Sequence, residues 1–462
     1  MKKFFGITTL VSVIVLLLLM VSATVTGRIL GQAISVDLFY ASALFMTCTI
    51  VAAVSGTVWF CLNVSRKPVT AILHIGMLVI IAGALVSRYC SVNGRMHLRE
   101  GETADWFASD DGMKTELPFP VTLRMFDVAY HDKSDAIRSC SSHVSIYGNQ
   151  GVISMNRPFR YKGYRFYQSG FDDDRAGTFL LVGHDPVGIT VVFCGYALVL
   201  VAMILFWFKS DTGFRASLKR LKQNSIGRFN LPPMIRRITL ACAWLLLFTL
   251  TWLLGLRWYV SGHVPMTDSY EMMLLIGWTS MVITTIFGRK HTFVIPLGLV
   301  LGGVSVLVAF ISRPTAAEPL NPILDSPLLA FHVACMMVAY TLFGLMALCS
   351  LAGLRAFRPE ARVYLADVSH MALYPALFML VLGTILGSFW GNISWGSYWQ
   401  WDPKETWALI TVLVYSMAIH TRSMPKFRDN RFFNRYIVLS FITVLVTYFG
   451  VNLLLGGIHS YV

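Results

Sequence analysis

Residues 293–312 read FVIPLGLVLGGVSVLVAFIS, twenty residues without a single charge. A helix that crosses the hydrocarbon core of a bilayer needs about 20 residues of this kind. Ten other apolar runs have a similar length, so the sequence predicts about eleven transmembrane helices. The other ten predicted spans are residues 5–27, 37–62, 69–87, 188–208, 238–256, 269–287, 327–354, 368–390, 405–421 and 436–456.

The composition agrees with this pattern. The chain has 462 residues, of which 56% are hydrophobic and 13% are charged. Soluble domains carry about 25% charged residues. The composition therefore excludes an ordinary soluble enzyme and a disordered chain, and it indicates a polytopic membrane protein.

The net charge of +14 is explained by membrane topology. With the N-terminus inside, 22 of the 38 Lys and Arg fall in inner segments, 4 in short outer loops and 12 in one long outer segment. This distribution follows the positive-inside rule, so the basic balance does not indicate nucleic acid. The first run follows Met1-Lys2-Lys3 and is too long for a typical signal peptide, which predicts an uncleaved span.

The long outer segment, residues 88–187, is the only sizeable polar region. Its apolar residues alternate with polar ones, as in VTLRMF (121–126) and HVSIY (143–147), and turn residues follow at 148–151. This pattern predicts a small β-rich domain.

The predicted architecture is thus an α-helical polytopic membrane protein with one β-rich domain outside the membrane. Its predicted parts are three spans in 1–87, the outer domain 88–187, a fourth span 188–208, a basic inner loop 209–237 expected to be solvated, and a membrane domain 238–462.

The eight cysteines contain no CxxC or CxxCH motif. The chain is therefore predicted to be neither a thiol oxidoreductase nor a c-type cytochrome. Only Cys90 and Cys140 lie in a polar segment. They either form a disulfide or remain two free thiols, and the sequence favours neither.

A dense group of aromatic residues marks one outer loop. Residues 395–407 read WGSYWQWDPKETW, and Trp390 stands just before them. We call residues 390–407 the tryptophan loop. An interfacial aromatic belt is the simpler explanation, but belts distribute their aromatics over many span ends. The concentration in one loop favours a platform for a large, flat, apolar ligand.

Four histidines lie at two depths of the predicted bundle. His332 and His459 lie at the outer ends of their spans, level with the tryptophan loop, whereas His74 and His420 lie in the inner half. Ionisable residues inside spans are costly and are functional candidates by default. Two pairs, one near each face, suggest two bis-His sites. A macrocycle that takes two axial nitrogens and an aromatic bed is haem.

The tryptophan loop resembles the WWD signature of haem-handling proteins of cytochrome c biogenesis. GVNLLLGGIHSY (450–461) and PMTDSYE (265–271) resemble the CcsA branch, although Asp268 replaces the usual Asn and is given no role. The N-terminal part is similar to ResB/CcsB in Gly101-Glu102, MNRP (155–158), GYRFYQS (163–169), Phe171-Asp172 and Asp185-Pro186. Nearly the whole chain therefore resembles a fused CcsBA, the synthetase type of System II.

The resemblance implies a holocytochrome c synthetase in a bacterial cytoplasmic membrane, with its active site on the outer face. His74 and His420 would receive haem b from the inner side, and His332 and His459 would hold it at the outer site. The implied shelf for the macrocycle comprises Trp390, Trp395, Gly396, Tyr398, Trp399, Trp401, Asp402 and Trp407. Catalysis would rest on His332, His459, Trp395, Trp399, Trp401 and Asp402.

The implied partners are the CxxCH segment of an apocytochrome c, a thioredoxin-like thiol reductant outside the membrane, and lipid. Arg257 and Arg313 in outer loops either pair with haem propionates or anchor span ends. Two other functions remain open: a haem exporter or chaperone without synthetase activity, and a b-type haem electron carrier. His97, His131, His143, His184, His263, His291 and His370 are expected to be solvated or structural.

Overall fold

The computed structural model describes residues 1–64, 68–131, 136–208, 213–224, 231–312, 320–421 and 423–457. Ten helices in these ranges are long and apolar enough to cross a membrane, which confirms the predicted helical membrane fold. They are α1 (Lys2–Leu30), α3 (Ala43–Val64), α4 (Pro68–Cys90), α5 (Gly188–Phe208), α7 (Pro233–Ser261), α8 (Ser269–Gly288), α9 (Val294–Ile311), α10 (Pro327–Arg355), α11 (Pro359–Ser394) and α13 (Asn430–Leu445), which continues as a π-helix over Val446–Leu455. The shorter helices are α2 (Gln32–Ser35), α6 (Gly213–Asn224) and α12 (Pro403–Met417).

One predicted span is shorter than expected. Residues 405–421 were expected to cross the membrane, but α12 ends at Met417 and has 15 residues. At 1.5 Å per residue it is roughly 23 Å long, less than the hydrocarbon thickness of about 30 Å. The residues that follow, up to Thr421, form turns instead of extending the helix. The count of about eleven spans therefore becomes ten full-length helices in the described chain.

The predicted β-rich domain is confirmed as one antiparallel sheet. Its eight strands are β1 (Val92–Arg99), β2 (Thr103–Ser109), β3 (Lys114–Tyr130), β4 (Ile137–Ile146), β5 (Asn149–Ser154), β6 (Phe159–Tyr161), β7 (Tyr164–Phe171) and β8 (Gly177–His184). They are ordered β5-β4-β3-β2-β1-β8-β7-β6, and β5 contacts β7, so the sheet curls like a barrel. Its core contains Phe107, Phe119, Leu123 and Phe166, each at most 1% exposed.

The β domain is connected at its two ends to helices α4 and α5, which pack closely against each other. A Cβ on Gly83 of α4 would lie 2.6 Å from the backbone nitrogen of Val192, and one on Gly195 of α5 would lie 2.8 Å from that of Ile80. Small residues of this kind let two membrane helices approach closely. The two chain connections of the domain therefore leave from one rigid helix pair.

The expectation of a solvated inner loop is wrong for Gly213–Asn224. This segment is the amphipathic helix α6, and it packs on α11. Its Leu221 is 1% exposed, and its Arg220 donates to the carboxylate of Asp367 on α11 at 2.7 Å. Burial of the apolar face and this ion pair hold the helix against the bundle. Residues 209–212 and 225–230 lie outside the described residues.

Both cysteines of the polar segment are free thiols. Cys90 is exposed at the end of α4, whereas Cys140 is 1% exposed on β4. Burial raises the pKa of the Cys140 thiol to about 11. Because the thiolate is the reactive form, Cys140 stays protonated and inert at neutral pH.

We expect a membrane-impermeant maleimide added to intact cells at neutral pH to label Cys90 and not Cys140. Labelling should disappear in Cys90→Ser and remain unchanged in Cys140→Ser. After denaturation, Cys140 should react as well. Mass spectrometry of the labelled peptides measures both outcomes. Labelling that requires prior reduction would contradict the free thiols and restore the disulfide.

Candidate functional site

Helix α11 carries glycine at three successive turns on one face: Gly383, Gly387 and Gly391. A Cβ on Gly387 would lie 2.8 Å from the ring of His332, and one on Gly391 would lie 3.1 Å from the ring of Trp395. We call these three residues the glycine stripe. Since four helical residues rise about 6 Å, the stripe brings His332 and Trp395 to neighbouring positions on one surface.

The ring of His332 has a defined orientation. Its Nδ1 lies 2.6 Å from the carbonyl oxygen of Gly383. A carbonyl only accepts hydrogen bonds, so Nδ1 carries the proton and the lone pair is on Nε2. Histidines that bind metals typically donate their other ring N–H to a carbonyl or carboxylate in this way. The contact therefore prepares Nε2 of His332 for coordination.

The first half of the tryptophan loop packs against α11 and the β domain. Trp390 is buried and meets the ring of Trp395 edge to face at 4.7 Å. Gly396 follows with a φ of 83°, in the left-handed region that favours glycine. A Cβ there would lie 2.7 Å from the ring of Tyr167 on β7. The β domain thus covers the loop directly.

Trp401 faces the N-terminal helices. Its ring stacks on Tyr40 with centroids 4.1 Å apart, and it meets Phe45 edge to face at 5.3 Å. Its carbonyl accepts a hydrogen bond of 2.7 Å from Gln32. One face of the Trp401 ring is therefore covered by protein, and a contribution of its other face to the shelf stays a prediction.

Trp399 meets Trp401 edge to face at 5.7 Å. Its indole nitrogen is buried and has no hydrogen-bond partner among the described residues. A buried polar group without a partner is uncommon and calls for an explanation. A polar substituent of a bound ligand would satisfy it.

Other loop residues tie the parts of the chain together. Tyr398 packs against Phe193 of α5, and the indole nitrogen of Trp407 lies 3.3 Å from the hydroxyl of Thr24 on α1. These two residues therefore act as contacts between the loop and the first five helices.

Asp402 forms the N-terminal cap of α12. Its carboxylate accepts from the backbone of Lys404 at 2.9 Å, and Glu405 accepts from the backbone of Asp402 at 3.2 Å, which completes a capping box. A Cβ on Gly457 would collide with the Asp402 carboxylate. The C-terminal segment therefore reaches the loop. His459 lies outside the described residues, two positions after Gly457.

The inner histidines are brought together. His74 is on α4, and His420 follows the end of α12 and is its electrostatic neighbour. Each Nδ1 is 2.8 Å from the carbonyl oxygen four residues earlier, in Thr70 and Ser416. Both rings thus have the tautomer of His332, with the lone pair on Nε2. The ring of His74 also stacks on Phe60 at 4.6 Å.

Arg257 is engaged within the protein. It donates to Glu271 at 2.5 Å and to Asp268 at 2.9 Å, and its guanidinium lies over Tyr270. Asp268, to which the sequence assigned no role, also caps α8. These contacts neutralise the buried carboxylate of Glu271 and support the structural alternative for Arg257. Arg313 lies outside the described residues.

Sequence reasoning identified two motifs of the β domain without assigning their residues to the site. Asn156 of MNRP accepts from Ser394 at 2.6 Å and donates to the carbonyl oxygen of Ile323 at 3.0 Å. Arg165 of GYRFYQS donates to Asn392 at 3.2 Å. Both motifs therefore dock the domain on the outer end of α11.

Three of the histidines without a predicted binding role make contacts within the protein. His97 pairs with Asp172 at 2.9 Å, and His291 bonds the hydroxyl of Tyr364 at 3.0 Å. His370 stacks on Phe433 with centroids 3.6 Å apart.

Comparison with known proteins identifies two families in the chain. The family described as "Cytochrome C assembly protein" matches residues 266–459, and the "ResB-like family" matches residues 65–198. The tryptophan loop lies in the first match and the whole β domain in the second.

Individual relatives include two CcsA proteins and protein NrfI. The chain is 31% identical over 311 residues to the cytochrome c biogenesis protein CcsA of Synechococcus sp. (strain CC9605), covering 58% of this chain and 94% of that protein. It is 35% identical over 228 residues to protein NrfI of Wolinella succinogenes, covering 47% of this chain and 25% of that protein. It is 33% identical over 226 residues to CcsA of Chlamydomonas reinhardtii, covering 45% and 64%. The chain thus spans a quarter of NrfI and nearly all of the Synechococcus CcsA.

The glycine stripe provides a test of the His332 geometry. Gly387→Ala should push the ring from its hydrogen bond to Gly383 and lower stability by about 1–3 kcal/mol, as overpacking does. Gly303→Ala is the matched control, because a Cβ there meets nothing within 4 Å. Thermal unfolding in detergent measures both. Equal midpoints for the two variants would contradict the close contact.

Proposed function

Because the chain belongs to the CcsA family of cytochrome c biogenesis proteins and also carries a ResB-like part, we propose that it is a holocytochrome c synthetase. It is a multi-pass membrane protein that acts in cytochrome c biogenesis. The proposal adds the reaction, in which haem b is received on the inner side and attached covalently to an apocytochrome c on the outer side. The protein would work in a bacterial cytoplasmic membrane, and its N-terminal and C-terminal parts would act as one unit.

The observation that carries the proposal is the shared surface of His332 and Trp395. The ring nitrogen that faces away from Gly383 suits an axial ligand, and the neighbouring indoles suit a flat macrocycle. The indole N–H of Trp399, which has no partner among the described residues, also fits a ligand with polar substituents. His459 would supply the second axial nitrogen, since Gly457 already touches Asp402 beside the loop.

The reaction requires positioning above all. Each cysteine thiol of the CxxCH segment adds across a haem vinyl group: a sulfur–carbon bond forms at one vinyl carbon, and the thiol hydrogen ends on the other. No leaving group or oxidant is needed. Holding the two partners together can supply several kcal/mol of barrier reduction. Because only thiols react, a separate thioredoxin-like reductant would keep the segment reduced.

Co-expression with a CxxCH apocytochrome in cells that lack their own pathway tests this function. Covalent haem on the reporter supports a synthetase. Haem bound to this protein without covalent haem on the reporter would instead indicate an exporter or a b-type electron carrier.

The outer ligand is tested by His332→Ala. The purified parent protein should show a low-spin b-type spectrum, and the variant should bind roughly tenfold less outer haem or turn high-spin, because an axial nitrogen is lost. Added imidazole should restore the spectrum by replacing that nitrogen. His263→Ala, in a histidine near the same face, is the control. His459→Ala should behave like His332→Ala, and an unchanged spectrum in both would refute the assignment.

The inner pair is tested by His74→Gly and His420→Gly. If haem enters from the inside, either variant should deplete haem at the untouched outer site and reduce the thioether yield, and imidazole should rescue both. His291→Gly, which removes an inner-side histidine bonded to Tyr364, serves as the control. Haem per protein and covalent reporter haem are the measurements. Normal values in both pair variants would mean that the outer site obtains haem by another route.

A further inference from the structure

The hairpin β6–β7 carries two arginines directly opposite each other. Arg160 on β6 pairs with Arg165 on β7, across a tight turn at Lys162-Gly163. Like charges placed opposite each other on neighbouring strands are destabilising. The register therefore keeps an unfavourable pair in a hairpin that has only three paired positions.

This pair lies on the face of the hairpin that meets the membrane domain. Phe159 and Phe166, the neighbouring cross-strand pair, point into the core of the β domain. Side chains alternate along a strand, so Arg160 and Arg165 lie on the opposite face, together with Tyr167. Tyr167 is only 2% exposed, because Gly396 of the tryptophan loop covers it.

The two arginines differ in what they contact. Arg165 donates to Asn392 and lies within hydrogen-bonding reach of the Tyr167 hydroxyl. Arg160 is exposed, and it has no hydrogen bond or ion pair in the described part of the chain. The carboxylates of Asp172 and Asp174, which follow the end of β7, are paired with Arg99. The pair beside the loop thus combines two positive charges with no described carboxylate partner.

We propose that Arg160 and Arg165 bind the carboxylate groups of the haem substrate at the outer site. The inference rests on the proposed function and specifies which residues receive the propionates. Arg165 contacts Asn392, the residue after Gly391 in α11, and the neighbouring Tyr167 packs on Gly396, the residue after Trp395. The charges therefore stand beside the surface of Trp395 and His332. Guanidinium groups bind carboxylates through paired hydrogen bonds, and an anion between the two arginines would relieve their repulsion.

The same geometry gives the β domain a role in binding haem. Arg257, the outer arginine expected from sequence to pair with propionates, is occupied by Glu271 and Asp268. Arg160 and Arg165 come from the ResB-like part, whereas His332 and the tryptophan loop come from the CcsA-like part. The outer haem would thus be held by both parts at once, its iron by one and its carboxylates by the other.

The test compares haem with haem dimethyl ester, in which both carboxylates are blocked, on the purified full-length protein. The parent protein should bind the ester at least about tenfold more weakly, the loss expected for charge-assisted hydrogen bonds. Arg160→Gln/Arg165→Gln should bind haem as weakly as the parent binds the ester, and should no longer distinguish the two ligands. Arg160→Lys/Arg165→Lys should retain part of the preference. Arg124→Gln, in an exposed arginine of β3, should behave as the parent.

The possible negative results of this binding experiment can be told apart. A parent protein that binds neither ligand would overturn both the synthetase proposal and this inference. A parent that binds haem and its ester equally would overturn the inference alone, without any variant. If the Gln variants lose haem but keep a preference for haem over the ester, the arginines only dock the domain, and the inference is wrong. Thermal unfolding of Arg160→Gln should not fall below the parent, since the variant removes a repulsive pair.

Discussion

The outer site depends on one constraint, which is that α11 has glycine at three successive turns of one face. At Gly383 the helix backbone comes close enough to accept a hydrogen bond from His332, and at Gly387 and Gly391 it leaves room for an imidazole and an indole. A residue with a Cβ at either of the last two positions would meet a ring within van der Waals distance. The position of His332 is therefore set by helix packing, which is more rigid than a loop.

The tryptophan loop acts as a junction between the two parts of the chain. Trp401 stacks on Tyr40, Tyr398 packs on Phe193, and Gly396 receives Tyr167, so the N-terminal helices, the β domain and the C-terminal helices all meet there. Such contacts couple the folding of the loop to both parts. Substitutions in the loop consequently report on assembly as well as on ligand binding, and the Trp401 ring in particular belongs to the assembly contacts.

Much of the fold could be predicted from the sequence, because apolar length and strand alternation are local signals. The shared depth of His332 and the tryptophan loop also followed from their positions at span ends. The glycine spacing in GTILGSFWG (383–391) was a further local signal, but its partner is on another helix. The ring of Trp401 stacks on Tyr40, and Arg165 contacts Asn392. Both contacts join segments that are far apart in the chain, so no local sequence pattern predicts them. Helix α12 is shorter than the predicted span because it ends at Met417. The apolar composition of residues 405–421 does not determine where the helix ends.

The three described candidate ligands share one physical feature. His332, His74 and His420 each donate Nδ1–H to a backbone carbonyl, which places the lone pair on Nε2. In His74 and His420 the carbonyl belongs to the same local segment, whereas in His332 it belongs to another helix. The inner rings are thus oriented by their own backbone alone, but the orientation of His332 requires α10 and α11 to be packed together. The inner pair nevertheless joins α4 to the end of α12, so both candidate sites require the two parts of the chain to be packed together.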